Sequence, residues 1–205
     1  MRLISQSTGM PGEMSRLSAR GAGQAELALY EATASKRYLD AALELMNICR
    51  GRLWDADGGG FFDAEDALLG IRLKPSDDMP HPAANSVAVA VLLKLYRIPD
   101  DESYRADAET ILRAMGERAS ALGLHAGAFF CSLDMWHSGL TLKFGRTIEH
   151  ELLTRLWLPN LTIRHGGMPG SVIPYSPVQC FEPLRSATAV KSFLAAGFPG
   201  MSGAQ

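Results

Sequence analysis

Two stretches of this chain align without a gap. "ELALYEATASKRY" (26–38) lies over "LLKLYRIPDDESY" (92–104), so that Tyr30 meets Tyr96 and Tyr38 meets Tyr104, each 66 residues on. The register continues: Tyr38, Ala42, Leu45, Cys49 and Leu53 match Tyr104, Ala108, Ile111, Met115 and Ala119. Both sets follow the i, i+4, i+7, i+11 spacing of an amphipathic helix. Ser35 and Asp101, three residues before each second Tyr, are the predicted N-caps. Each unit then reads as helix, short turn, capped helix and Gly-aromatic turn, "GGGFF" (58–62) in the first and "HAGAFF" (125–130) in the second. A duplicated pair of helices must bury its apolar stripes against its copy, which restricts the fold to stacked helical hairpins, around an axis or as a bundle.

The flanks differ in texture. Residues 1–21, rich in Gly, Ser and Met, predict a flexible N-terminal arm, and 22–138 hold the hairpin repeats. Residues 139–205 predict a small α/β segment. In it "LTLKF" (140–144) and "NLTIRH" (160–165) read as strands around a helix at "TIEHELLTRLW" (147–157), a βαβ unit. "PVQCF" (177–181) is a candidate further strand, and "SATAVKSFLAA" (186–196) a last helix capped by Ser186. The net charge of −2 carries no footprint for nucleic acid. No apolar run nears the roughly 20 residues of a membrane span. Cys49, Cys131 and Cys180 lie far apart, and the N-terminus lacks a hydrophobic signal core. Together these predict reduced thiols and a cytoplasmic location.

Four stretches, "LALYEATASKRYLDAALEL", "LWDADGGGFFDAED", "IRLKPSDDMPHPAANSVAV" and "LPNLTIRH", carry a resemblance. The chain resembles the C-terminal part of the spermatogenesis-associated, thioredoxin-domain-containing (DUF255) family. The third stretch is the most specific, with Arg72, Lys74, Asp78, Pro82, Asn85 and Ser86 at the family's spacing. The resemblance implies an α/α toroid related to N-acylglucosamine 2-epimerases and six-hairpin glycosidases, here partial and with an open ring. Departures stand beside it: Ala83-Ala84 replaces a Ser-Gly pair, His81 an apolar residue, and Cys180 lacks its companion. No thioredoxin-like stretch precedes the repeat, so thiol redox chemistry is not implied. The expected fold is therefore mainly α, a partial α/α toroid of stacked hairpins with a small C-terminal βαβ appendage.

By analogy with toroids, the turns at one end would form a cavity mouth. Trp54, Phe61 and Phe62 would then face a sugar ring; the alternative is that Phe61 and Phe62 plug the end of the helix pair. Arg72 offers a fork of donors and Lys74 a point charge, with Asp78 accepting from hydroxyls; the alternative is an ion pair pinning the loop. Asn85 is a ligand-facing amide or an N-cap. The expected acid–base residues are Asp78, His81 and Asp63, within an acid-rich turn that also holds Asp55, Asp57, Glu65 and Asp66. That turn lacks the ligand order of a calcium loop. His125, His137, His150 and His165 have no metal-ligand spacing, so no metal and no cofactor are expected. "FGRTIEH" (144–150) has one Gly before a helix, a weak anion signal.

Two functions follow as expectations. One is a carbohydrate-related protein binding a saccharide or similar polar small molecule, glycosidase-like or 2-epimerase-like if active. The other is a non-catalytic interaction module that forms a homodimer or pairs with a companion helical chain, covering the flanks of its open ring.

Overall fold

In the computed structural model, the structure describes residues 16–67, 70–145 and 160–196, with side chains from residue 21 onward. Helices α1 (Arg16–Thr33) and α2 (Lys36–Leu53) form the first hairpin, α3 (Ala84–Arg97) and α4 (Glu102–Leu122) the second. The duplication extends to the backbone. Each hairpin turns through one non-glycine residue in the left-handed region, Ala34 at φ 56° and Asp100 at φ 62°, again 66 positions apart. Asp101 caps α4 as expected, accepting from the Ser103 amide at 2.9 Å. Ser35 occupies the equivalent place without a side-chain cap bond, so only one of the two predicted caps forms. Helix α1 also starts within the segment expected to be an arm, taking in residues 16–21.

Helix α3 is the hub. Val89, Val91, Leu92, Leu93 and Leu95 are at most 1% exposed, so the helix is apolar nearly all round and packs on α1, on α4 and on the helix Gly127–Ser138. Burying each such side chain is worth roughly 1.5–3 kcal/mol. Leu27, Met46, Cys49, Ile111, Met115 and Phe129 complete this core.

The two halves part after their second helices. Where the second unit was expected to make a Gly-aromatic turn, residues 125–130 are helical: a 3₁₀ turn (Gly123–Ala126) runs into α5 (Gly127–Ser138). Phe129 thereby points into the core while Phe130 stays 43% exposed.

A three-stranded sheet follows, in the order β2-β1-β3. Strands β1 (Leu140–Phe144) and β2 (Leu161–His165) pair in parallel, as a βαβ unit requires. The helix expected at 147–157 lies outside the described residues. Strand β3 is Val172–Tyr175, antiparallel to β1, and not the predicted 177–181, where Cys180 makes only an isolated bridge to Tyr175. Helix α6 (Ala187–Ala195) is capped by Ser186, as expected, and packs Val190 into a second core with Leu142, Phe144 and Val172. Glu31 of α1 ties the sheet to the repeat. Its carboxylate accepts from the Ile163 amide (3.0 Å) and from Lys94 Nζ (2.6 Å), and its carbonyl meets His165 Nε2 at 2.8 Å. No described helix is long and apolar enough to cross a membrane.

Candidate functional site

The segment between α2 and α3 is a knot of satisfied polar groups. Its glycine turn closes as a small hairpin, with the Asp55 amide donating to Gly60 O (2.8 Å) and the Phe62 amide to Leu53 O (2.8 Å). Gly60 sits at φ +81°, and a Cβ there would lie 3.1 Å from Asn85 Oδ1, so glycine is needed for both conformation and space. Asn85 is not the cap of α3, whose N-cap is Ala83. It is 1% exposed and holds Phe61 at two points, accepting from its amide (2.8 Å) and donating to its carbonyl (2.9 Å). Phe61 itself is fully buried, edge-on to Trp54 at 5.1 Å. Of the two alternatives for this ring, the plug is the one its burial matches.

The charged residues are equally engaged. Lys74 Nζ pairs with Asp55 Oδ2 at 2.5 Å and donates to Gly59 O at 3.0 Å. The Asp55 carboxyl is held below the usual carboxylate range, chiefly by the Lys74 hydrogen bond and then by the Gly58 amide. Arg72 stacks on Phe62 at 4.0 Å and donates to the carbonyls of Ala64 and Arg52. Asp78 joins two helices: one oxygen accepts from the Ala83 amide at the start of α3 (2.7 Å), the other from the Ala128 amide at the start of α5 (2.8 Å). An anion at two helix N-termini is favoured by both macrodipoles. Asp63 is half-buried, its amide donating to Leu73 O at 2.7 Å, and His81 is exposed. The structure thus groups Trp54, Phe61, Phe62, Arg72, Lys74 and Asn85 around one turn, sets Asp78 at the head of α5, and leaves His81 at the surface.

A cavity of about 440 Å³ opens at the opposite end of α3, between the helices and the sheet. Tyr96, Trp136 and Tyr175 give it aromatic faces; Arg97, Arg105, Lys143, Arg164 and Asp100 give it charge. None of the nine residues expected to act as site residues lines it. Its walls come from the C-terminal ends of α3 and α5, the start of α4, and all three strands or their flanks. Those positions are far apart in sequence, and no local motif marks them. The one available signal was Arg97 following an apolar helix face, in the turn of the repeat. Among the described residues, no group of three or more His, Cys, Asp or Glu is placed to hold a metal ion.

No protein-family model matches the chain. It is 31% identical to the uncharacterized protein B0495.5 of Caenorhabditis elegans over 118 residues, 58% of this chain and 16% of that protein. It is 37% identical over 95 residues to spermatogenesis-associated protein 20 of Rattus norvegicus, and 36% identical to that of Homo sapiens. Each of those two matches covers 45% of this chain and 12% of the relative. The chain therefore spans between about an eighth and a sixth of the length of these curated relatives.

Proposed function

We propose that this chain binds a polar small molecule of the saccharide class in the cavity between its helical repeat and its sheet, as one part of an α/α toroid. The single observation behind the proposal is the cavity's make-up: about 440 Å³, with Tyr96, Trp136 and Tyr175 set among hydrogen-bonding side chains. A sugar presents apolar C–H faces and a rim of hydroxyls, and such sites combine flat aromatic surface with a few placed polar groups. The partial likeness to spermatogenesis-associated proteins supports the family resemblance from which the toroid follows. The reading is one of binding without turnover. Asp78, Asp63 and His81 do not line this cavity, and both Asp78 oxygens already hold helix amides.

The test is a thermal-stability panel of neutral, amino and acidic mono- and disaccharides. A ligand present at about a hundred times its Kd adds roughly 2.7 kcal/mol, a rise of several degrees. Trp136→Ala is expected to abolish that rise while the free protein still unfolds cooperatively. No shift with any saccharide overturns the proposal.

A second reading, an interaction module that pairs with a copy of itself, is favoured by a different observation. Met79, Leu124 and Phe130 are between 43% and 97% exposed, and Asp78, through the His125 carbonyl and the Ala128 amide, brings the segments that carry them together at the loop end of α3 and α5. Apolar side chains collected in this way mark contact surfaces. Light scattering is expected to show a dimer that Met79→Glu with Leu124→Glu dissociates. A monomer across the micromolar range overturns it.

A further inference from the structure

We propose that the cavity selects a ligand carrying an anionic group, a carboxylate or a phosphate monoester, and that Arg97 is the residue that imposes this choice. The inference rests on the binding reading above and adds the chemical class of the ligand. The first ground is charge. The chain as a whole carries −2, yet the charged residues lining the cavity are four cations, Arg97, Arg105, Lys143 and Arg164, against one acid, Asp100. Arg164 takes that acid in a 2.5 Å ion pair. Arg105 lies 5.2 Å from the Trp136 ring and 5.8 Å from the Tyr96 ring, and reaches Glu102 only at 3.7 Å. Lys143 makes no ion pair with a described residue. Two positive charges, Arg97 and Lys143, therefore face one space with no ion-pair partner among the described residues, and Arg105 beside them has only the long contact to Glu102.

The second ground is a missing acceptor. Arg97 is 9% exposed. Its Nη2 donates to Met135 O at 2.6 Å, and its Nη1 has no acceptor among the described residues. A buried donor left unmade is costly, more so on a charged group. Burial accordingly lowers the Arg97 pKa to about 10, which still leaves it cationic at neutral pH. The guanidinium lies where a Cβ on residue 139 would stand, so Gly139 is what lets it rest at the cavity wall. Nη1 itself is covered at the cavity wall. An incoming anion meets Arg97 first as a charge, and a small rotation of the guanidinium then gives Nη1 its acceptor. The flat fork of arginine suits carboxylate and phosphate oxygens, whereas a hydroxyl of a neutral sugar offers no charge to match it. Trp136 and Tyr96 remain to cover the ring of the same ligand.

The experiment uses the full chain and four probes at low salt: glucose, glucuronate, glucose 6-phosphate and inorganic phosphate, by calorimetry and thermal shift. At least one acidic sugar is expected to bind about tenfold or more tighter than glucose, with an affinity that falls as salt rises. Comparing glucuronate with glucose 6-phosphate tells carboxylate from phosphate. Arg97→Met is expected to remove the preference and Arg97→Lys to keep part of it. Lys143→Ala, on the half-buried part of a strand, is expected to weaken it without touching the helical core, which keeps the test open if the Arg97 variants misfold. Glucose binding as tightly as both acids, in wild type and Arg97→Met alike, overturns this inference and leaves the binding reading standing. Acid binding that ignores both Arg97 and Lys143 also overturns it. Inorganic phosphate binding as tightly as glucose 6-phosphate upholds the anion and overturns the saccharide, and no binding by any probe overturns this inference while the wider saccharide panel decides the binding reading.

Discussion

Helices α3 and α5 are joined at both ends by a charged side chain, and the two joints are built differently. At the N-terminal end Asp78 places one oxygen on each helix, at 2.7 and 2.8 Å, and beside it Asn85 uses both its oxygen and its nitrogen on Phe61. At the C-terminal end Arg97, the last residue of α3, reaches Met135 O in the last turn of α5, and its other arm has no acceptor among the described residues. Both charges suit the dipoles they face, an anion at N-termini and a cation at C-termini. Only the first joint is complete. The contrast separates a polar network that holds a loop in place from one with a donor still unmatched among the described residues. The chemistry in the 54–86 segment is largely consumed by the fold, while the cavity end keeps chemistry to spare.

The sharpest way to break the comparison is at the loop end. Phe61→Ala removes a fully buried ring and is expected to destabilise the protein by about 4 kcal/mol, read from urea unfolding. A loss under ~1 kcal/mol would mean the turn is not structural. Asp78→Ala removes two helix caps at once and is expected to cost about 2 kcal/mol, with Asp78→Asn intermediate because an amide has one accepting oxygen. A smaller effect is expected from acid. Because the Asp55 carboxyl sits below its ordinary value, its stabilisation is complete above about pH 4 and disappears as pH falls through the folded-state value. Urea midpoints of Asp55→Asn and wild type should therefore differ at pH 6 and draw together as pH falls below the ordinary carboxylate range. The smallest effect belongs to the other end. Arg97→Met removes a buried, half-satisfied charge, and Met135 O keeps the Gly139 amide at 3.1 Å. The change in stability is expected within about 1 kcal/mol of zero or favourable. A loss as large as that of Asp78→Ala would make the two ends equivalent.

The elements that were legible in the sequence are those whose signal is local. Strand β1 coincides with "LTLKF" because alternation reports directly on a pleated backbone. Asp101 and Ser186 bind amides two and three residues away, within reach of a short motif. The joints were not legible for the opposite reason. Asp78 and Ala128 stand 50 residues apart, and Arg97 and Met135 38 apart, so nothing near either residue announces its partner. "HAGAFF" resembled the first Gly-aromatic turn in composition. Yet Gly59 and Gly60 take positive φ in the first, whereas residues 127–130 are helical in the second. Both stretches bury one ring in the same core, Phe61 and Phe129, so the rings do not set the backbone apart; the conformation of the glycines before them does.

The duplication, the helix faces and the place of the hairpin turns follow from the order of residues, since each depends on periodicity or on neighbours within one turn of chain. Which polar groups are spent and which are left over followed only from the tertiary structure. A hydrogen bond is satisfied or missing according to what lies within about 3 Å. For Arg97 that was decided by how two helices and a sheet came to pack around it.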